Sequence, residues 1–180
     1  MILTPVNEAL NQILNHASLQ PARPSLELPL QQALGHILAS PINTRINVPP
    51  WDNSAMDGYA LRSADLAAGA TLPIAQRITA GLSPAPLSPG TCARIFTGAP
   101  IPAGADAVEM QENVEIDARG NAHFLQPVSS GQNVRPQGQD LHQGQTLFTG
   151  GRRLLPQDLG VIASCGIDRV SVAQPLRIGV

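Results

Sequence analysis

The sequence predicts a β-rich fold of the α+β class, and three features lead to that class. Sixteen glycines and seventeen prolines are spread over 180 residues, which favours many turns. Charged residues make up only 13% of the chain, too few to cover long solvent-exposed helices. Short apolar segments are separated by Pro/Gly clusters at 81–90 and 98–104, a pattern typical of strands joined by tight turns.

Three helices are expected beside the strands. Thr4, followed by a proline, is a helix-start signal, and apolar residues at helical spacing predict an amphipathic helix to about Ala17. A short helix is expected over 30–35, and another over 155–164 with Gly166 as its C-terminal cap. Extended segments are expected at 37–46, from 61 onward, and at 76–80, 92–96, 107–114, 123–127, 146–148 and 167–172.

Composition excludes several classes of function. All eleven basic residues are arginines, so a catalytic lysine of the Schiff-base or P-loop type is absent from these residues. A net charge of −2 with scattered arginines gives no electrostatic footprint for nucleic acid. No apolar run approaches the roughly 20 residues of a membrane span, and the first residues lack the pattern of a secretory signal. We therefore expect a cytoplasmic protein with neither nucleic acid nor membrane as partner.

The cysteines and histidines show no metal-binding pattern. Cys92 and Cys165 are isolated, which predicts two buried free thiols, with a disulfide as the alternative. The four histidines lack metal-ligand spacing with one another or with the cysteines. An acidic stretch over 106–117 alternates with apolar residues and predicts one solvated strand face, with a cation site as the alternative.

The segment 49–60 carries the densest chemistry of the chain. It contains the only Trp and the only Tyr, together with two carboxylates. Its Pro-Pro start favours an extended approach, and Asp57-Gly58 is a turn signal because glycine accepts positive φ. One hypothesis is a loop that presents carboxylate oxygens to a ligand beside an aromatic wall. The alternative is a solvated hairpin turn with Trp51 and Tyr59 packed beneath it.

Residues 52–60, Asp-Asn-Ser-Ala-Met-Asp-Gly-Tyr-Ala, resemble the signature of the MoeA family of molybdopterin molybdenumtransferases, which includes the gephyrin E domain. Residues 94–108 and 131–141 match the same family in order and spacing, so the resemblance covers essentially the whole chain. It implies the elongated N-terminal region of a MoeA-like protein, with a compact β-rich lobe inserted in a smaller discontinuous α/β domain.

Domain limits follow from the resemblance. The first helix, 1–17, is expected to dock on a larger C-terminal domain. Residues 18–44 and 141–175 form the discontinuous linker and dimerisation domain, and 45–140 form the inserted lobe that carries the signature. Residues 176–180 begin a strand of the larger α/β domain, so we expect the chain to be a fragment.

The resemblance also assigns site residues. It implies that Asp57 is catalytic and contacts Mg²⁺ or molybdate, and that Thr97 lines the same cleft. Asp140 is expected to assist catalysis, while Ser54 and Arg135 are expected to bind substrate. The alternatives are structural: Asp57 fixes a local turn, the Thr97 hydroxyl closes its own turn, and Arg135 and Asp140 form a structural ion pair.

The function implied by the resemblance is molybdenum cofactor biosynthesis. The full-length protein would insert molybdate into adenylylated molybdopterin with Mg²⁺ and release AMP. This segment would supply one wall of the site and be inactive alone. The implied partners are a second copy in a homodimer, the molybdopterin adenylyltransferase and downstream cofactor-using proteins. The alternative function is a dimerisation or scaffold module without a catalytic role.

Overall fold

The computed structural model describes residues 4–19, 23–66 and 70–176, and it is β-rich. Two α-helices lie in the described residues, α1 at Val6–Ser18 and α2 at Pro156–Ser164. The strands are β1 Ser25–Pro29, β2 Ile42–Asn43, β3 Asn53–Ser54, β4 Gly58–Leu61, β5 Thr71–Leu72, β6 Ile74–Ile78, β7 Cys92–Ile95, β8 Ala107–Met110, β9 Val114–Ile116, β10 Ala122–Phe124, β11 Val134–Arg135, β12 Thr146–Phe148 and β13 Arg169–Ala173.

The chain divides into two compact units. One comprises the chain up to Ile42, Thr146–Ala163 and the chain from Ile167 on; the other comprises Asn43–Gln145 and Ser164–Gly166. The α+β, β-rich class expected from the sequence is confirmed. The limits at 44/45 and 140/141 expected from the resemblance stay a prediction.

A four-stranded sheet organises the unit that contains the signature. Its order is β6-β7-β4-β8, with β4 antiparallel to both neighbours and β6 parallel to β7. Because successive side chains point to opposite faces, the two faces have separate cores. One core is built on Tyr59, Leu61, Cys92 and Phe124. The other is built on Ala60, Ile78, Ile95 and Val108.

Burial on both faces explains why β4 has no polar alternation. All four of its residues, Gly58 to Leu61, are buried. A central strand covered on both sides is continuously apolar rather than alternating. The extended segment expected from residue 61 onward is misplaced. The strand ends at Leu61, and a short 3-10 helix, Ser63–Asp65, follows it.

Smaller elements complete the two units. In the signature unit, β5-β10-β9 form a three-stranded sheet and β11 pairs with β3. In the other unit, β1 pairs antiparallel with β13. The predicted helix end at Gly166 is confirmed, since this glycine has φ +71° just beyond α2. Asp158 anchors the start of α2 by accepting from the Leu155 amide at 3.0 Å and pairing with Arg152.

Helix predictions were right at the ends of the chain and wrong in between. The first helix is confirmed, but its N-cap is Pro5 and no side chain caps it, so the capping expected from Thr4 is wrong. The helix expected over 30–35 is only a 3-10 turn, Leu30–Gln32. The chain then turns at Gly35, whose φ of +79° interrupts helical geometry. The strand expected at 176–180 lies almost entirely outside the described residues.

The acidic stretch is not a solvated strand face. A 3-10 helix, Gln111–Asn113, divides it into β8 and β9. Glu109 is only 1% exposed and accepts hydrogen bonds from Asn113 and Gln132, both at 2.7 Å. The Asp106 carboxylate accepts from the amide and the hydroxyl of Ser63. Asp106 and Glu109 therefore accept hydrogen bonds within the lobe, a role that alternation alone does not reveal.

Two further expectations can be compared with the described residues. Cys92 and Cys165 are both buried and free, as expected, and burial raises the pKa of the Cys92 thiol to about 12. Across the described ranges, no helix is both long and apolar enough to cross a membrane.

Candidate active site

Two motif segments meet at one end of the central sheet. Asp57 immediately precedes β4, and Thr97 follows the end of β7. Because the two strands are antiparallel, with Gly58 opposite Ile95, the start of one lies beside the end of the other. The Oδ1 atom of Asp57 accepts hydrogen bonds from the Thr97 backbone amide at 2.8 Å and from its hydroxyl at 2.7 Å. Residues 40 positions apart thus form one polar pair.

The pair leaves Asp57 ionised with one oxygen available. The Thr97 hydroxyl, followed by the Thr97 amide, lowers the pKa of Asp57 below its ordinary value of 3.8; the nearby charge of Arg94 adds to this, and burial opposes it. The side chain is half-buried. Within the described ranges its Oδ2 atom has no hydrogen bond. A carboxylate oriented through one oxygen can offer the other to a cation or a polar ligand.

The turn after β7 is held by the signature loop. Gly98 has φ +80°, and its amide donates to the Ser54 carbonyl at 2.8 Å. The Ser54 amide in turn donates to the Ala99 carbonyl at 2.9 Å. The turn itself is closed by the Ala99 amide on the Phe96 carbonyl, so the Thr97 hydroxyl contacts Asp57 and does not close its own turn.

Ser54 uses its hydroxyl inside the signature loop. Its Oγ donates to the Met56 carbonyl at 2.6 Å and accepts from the Met56 amide at 3.3 Å, and the residue is 1% exposed. This is a local side-chain turn of the kind that serine and threonine form. Substrate binding by Ser54 stays a prediction, and the burial of the residue does not support it.

Gly58 is required for a reason other than the one expected. It does not adopt positive φ; it is the first residue of β4. A Cβ at this position would lie 1.9 Å from the carbonyl oxygen of Glu109 on the neighbouring strand β8. The glycine therefore permits close approach of two backbones beside Asp57, and the turn interpretation of Asp57-Gly58 is corrected.

The two aromatic residues of the signature have different environments. Tyr59 is 7% exposed and packs edge-on against Phe124 at 6.3 Å between ring centroids, whereas Trp51 is 51% exposed. The expectation of two packed aromatics holds for Tyr59 alone.

Arg135 and Asp140 form a second polar pair. They make an ion pair in which both side chains are more than 40% exposed. The strand that carries Arg135 aligns it with Asn53 of the signature. In the described residues, no hydrogen bond connects this ion pair to Asp57 or Thr97. Their catalytic and substrate-binding roles stay predictions.

Sequence reasoning assigned no role to Arg94, although the residue lies inside the second motif. Its guanidinium donates to the carbonyl of Gly58 at 2.8 Å, directly beside Asp57. The signal in the sequence was its alternation with Phe96 on the strand that leads to Thr97, which places both side chains on one face.

The described residues contain no group of three or more His, Cys, Asp or Glu side chains that could hold a metal ion. Asp57 would therefore offer Mg²⁺ one carboxylate oxygen, and Mg²⁺ ordinarily retains several waters and takes phosphate oxygens as ligands. The Asp57 Oδ2 atom fits the role of such a single protein ligand.

Comparisons with known proteins agree on one family. The family model described as the MoeA N-terminal region (domain I and II) matches residues 4–166. The chain is 42% identical over 154 residues to a molybdopterin molybdenumtransferase of Haemophilus influenzae and 38% identical over 159 residues to one of Synechococcus elongatus. These matches cover 85% and 84% of this chain, but only 38% and 39% of the relatives.

Solved structures give the same result. Two crystal structures of a molybdopterin biosynthesis MoeA protein from Pyrococcus horikoshii superimpose with a TM-score of 0.85 at 32% and 33% identity. Each covers 96% of this chain, which spans 44% and 46% of theirs. The motif order, the fold and these matches lead to one conclusion: the chain belongs to the MoeA family and corresponds to its N-terminal region.

Proposed function

We propose that this chain is the part of a molybdopterin molybdenumtransferase that contributes the Asp57–Thr97 pair to the active site. The full-length protein inserts molybdate into adenylylated molybdopterin and releases AMP. The observation that carries this proposal is the contact between Asp57 and Thr97. The Oδ1 atom of Asp57 accepts from the amide and the hydroxyl of Thr97, and the two residues lie in two motifs that resemble those of the transferases. The names of the relatives support the reaction class.

The pair suits cleavage of a phosphoanhydride. Such chemistry depends on charge neutralisation and on positioning rather than on a covalent nucleophile. Thr97 keeps Asp57 ionised and fixes the direction of its Oδ2 atom, which would ligate a cation or position the substrate. When bound, Mg²⁺ supplies neutralisation of the phosphate charge. Asp140, the second acidic candidate, would assist from the neighbouring bend after exchanging its Arg135 partner for a ligand.

We also propose that the chain supplies one wall of the site and does not turn over substrate alone. It spans 38% and 39% of the relatives from Haemophilus and Synechococcus, and it contains no lysine. The remaining wall would come from a second copy in a homodimer. The substrate would arrive from a molybdopterin adenylyltransferase, and the product would pass to cofactor-using proteins in the cytoplasm.

The proposal is tested by measuring molybdate-dependent AMP release from adenylylated molybdopterin by the full-length protein. Asp57→Asn keeps an oxygen acceptor for Thr97 but removes the charge, so turnover should fall by about 100-fold or more. Asp117→Asn is the matched control, because that carboxylate accepts only from its own loop and from Asn121, and it should retain wild-type turnover. Equal turnover of the two variants would contradict the proposal.

A second candidate function is assembly, and α1 favours it. No residue of this helix is buried, and its apolar side chains are more than half exposed. They follow helical spacing: Val6, Leu10, Ile13 and Leu14. An apolar helix face of this kind marks a docking surface, for which we propose the partner copy or the larger domain of the full-length protein.

Light scattering tests the assembly function. Ile13→Asp places a charge on the apolar face and should reduce the dimer fraction of the full-length protein, whereas Asn15→Asp adds the same charge on the opposite side of the helix. Dissociation by Ile13→Asp alone supports assembly through α1. An unchanged dimer in both variants assigns assembly to other residues.

A further inference from the structure

Arg94 occupies the middle of the sheet face that leads to the proposed site. It lies opposite Tyr59 of β4 and beside Arg77 of β6. Its guanidinium carbon is 4.5 Å from the ring centroid of Phe96 and 5.2 Å from that of Tyr59. Two aromatic rings thus confine a half-buried guanidinium, and contacts of this type restrict the rotamers of a long side chain.

The Arg94 guanidinium holds the backbone carbonyls of Gly58 and Asp57, the first directly and the second through Gln111. Nη1 donates to the Gly58 carbonyl at 2.8 Å, and Nη2 donates to the Gln111 side-chain oxygen at 2.5 Å. The backbone amide of Gln111 donates to the Asp57 carbonyl at 3.1 Å. The carbonyls of two consecutive residues are therefore held, one by Arg94 directly and the other by the residue whose side chain Arg94 fixes.

The charge of Arg94 is not neutralised by these contacts. Every hydrogen-bond acceptor that it uses is neutral, and in the described part of the chain no carboxylate lies within ion-pair distance of it. A charged donor makes stronger hydrogen bonds to carbonyl oxygens than a neutral amide does, which suits a side chain that fixes backbone.

We propose that Arg94 is a positioning residue of the Asp57 site: it fixes the main chain at Asp57–Gly58 and thereby orients the carboxylate that would meet the substrate. This inference rests on the proposed transferase function. Arg94 itself needs no contact with the substrate, because it acts through the carbonyls of Gly58 and Asp57.

Arg77 provides a matched control. It lies on the same sheet face, with its guanidinium carbon 4.8 Å from the Phe96 centroid. No hydrogen bond joins it to residues 57, 58 or 111 in the described part of the chain. Arg77→Gln thus removes an equivalent charge from the same ring and leaves the main-chain bonds at Asp57 intact.

The first experiment measures kcat and KM for AMP release as a function of pH. Arg94→Gln should lower kcat by about 10- to 100-fold, the usual cost of losing a residue that orients a ligand, with KM little changed. Arg94→Lys, which retains the charge but not the two-sided hydrogen bonding, should recover part of the loss. Arg77→Gln should stay within about threefold of wild type. Equal kcat in Arg94→Gln and Arg77→Gln would overturn the proposal.

The second experiment does not depend on activity. Amide hydrogen exchange at position 111, whose amide donates to the Asp57 carbonyl, is compared by NMR in the 180-residue chain. Arg94→Gln should raise the exchange rate of this amide by about 10-fold or more, because the Gln111 side chain loses its partner. Arg77→Gln should leave the rate near wild type. A folded Arg94→Gln variant with unchanged exchange at this amide contradicts the proposal even if the wild type shows no AMP release.

Gln111→Ala keeps the test decisive if Arg94→Gln fails to fold. This position is exposed, and the substitution removes the side chain that Arg94 holds while retaining the backbone amide on Asp57. We expect a loss of several-fold in kcat and faster hydrogen exchange of the amide at position 111. Wild-type values for both quantities would reject the bracing role.

Discussion

Asp57 and Asp140 are both carboxylates in bends of matched motifs, yet they have different partners. Asp57 is half-buried and is held through one oxygen by neutral donors of Thr97. Asp140 is 47% exposed and is paired with the guanidinium of Arg135. Neutral donors orient a carboxylate and leave its charge in place, whereas an arginine cancels that charge. In the proposed function, Asp57 rather than Asp140 is therefore the carboxylate that would meet a cation.

The glycines near the two carboxylates also differ in their surroundings, and substitution of Gly58 gives the largest expected effect on stability. Gly58→Ala places a methyl group 1.9 Å from the Glu109 carbonyl, so strands β4 and β8 must separate. We expect a loss of about 3 kcal/mol in the free energy of unfolding, measured by urea denaturation. Gly160→Ala in α2 is the control, since it has open space and no positive φ. Equal stability of the two variants would refute the close-approach argument.

The glycine near Asp140 should be more tolerant. At Gly138 the nearest atom to an added Cβ is the Nδ1 of the His142 side chain at 2.7 Å, and φ is +73°. A side chain can move away where a backbone cannot, so Gly138→Ala should cost about 1–2 kcal/mol, mainly from the left-handed conformation. Urea denaturation of both variants checks that Gly138→Ala loses less free energy of unfolding than Gly58→Ala does.

Thr97→Val tests the neutral-donor pair through pH. Because the Thr97 hydroxyl is the largest cause of the lowered Asp57 pKa, its removal should raise that pKa toward 3.8. A depressed folded-state pKa stabilises the protein above the unfolded-state value and ceases to do so as pH falls through the folded-state pKa. Thr97→Val should thus be less stable than wild type at pH 7, and the difference should shrink below pH 3.8.

Thr97→Ser is the matched variant, since it keeps the hydroxyl. AMP release should fall by about 10-fold or more in Thr97→Val and remain near wild type in Thr97→Ser. A stability difference between Thr97→Val and wild type that does not vary with pH would show that the hydroxyl does not act through Asp57.

The smallest effect belongs to the ion pair. A double-mutant cycle with Arg135→Gln and Asp140→Asn should give a coupling in stability of at most about 1 kcal/mol, because both side chains are exposed to solvent and screened. The same cycle measured on AMP release sharpens the comparison. Coupling in activity without coupling in stability would show that Asp140 takes part in the reaction, while absence of both would leave Asp57 as the sole acidic residue of this wall.

Part of the fold follows from local chemistry. The spacing of apolar residues predicted α1, and the glycine beyond α2 predicted its end, because helical periodicity and caps are local properties. The segment 30–35 shows the limit of the same rule. Leu30, Ala33 and Leu34 on one face predicted a helix, but Gly35 and the long-range bond from the Leu30 amide to the Asp168 carbonyl accompany only a 3-10 turn.

The sequence by itself determined the class of fold, the family and the three motifs, since each depends on residue identity and order along the chain. The tertiary structure decided which side chains meet. Antiparallel pairing of β4 with β7 brings Thr97 to Asp57, and close approach of β8 explains Gly58. The same sheet places Arg94 over the signature. Contacts between residues 36 or more positions apart depend on strand register, which no local pattern specifies.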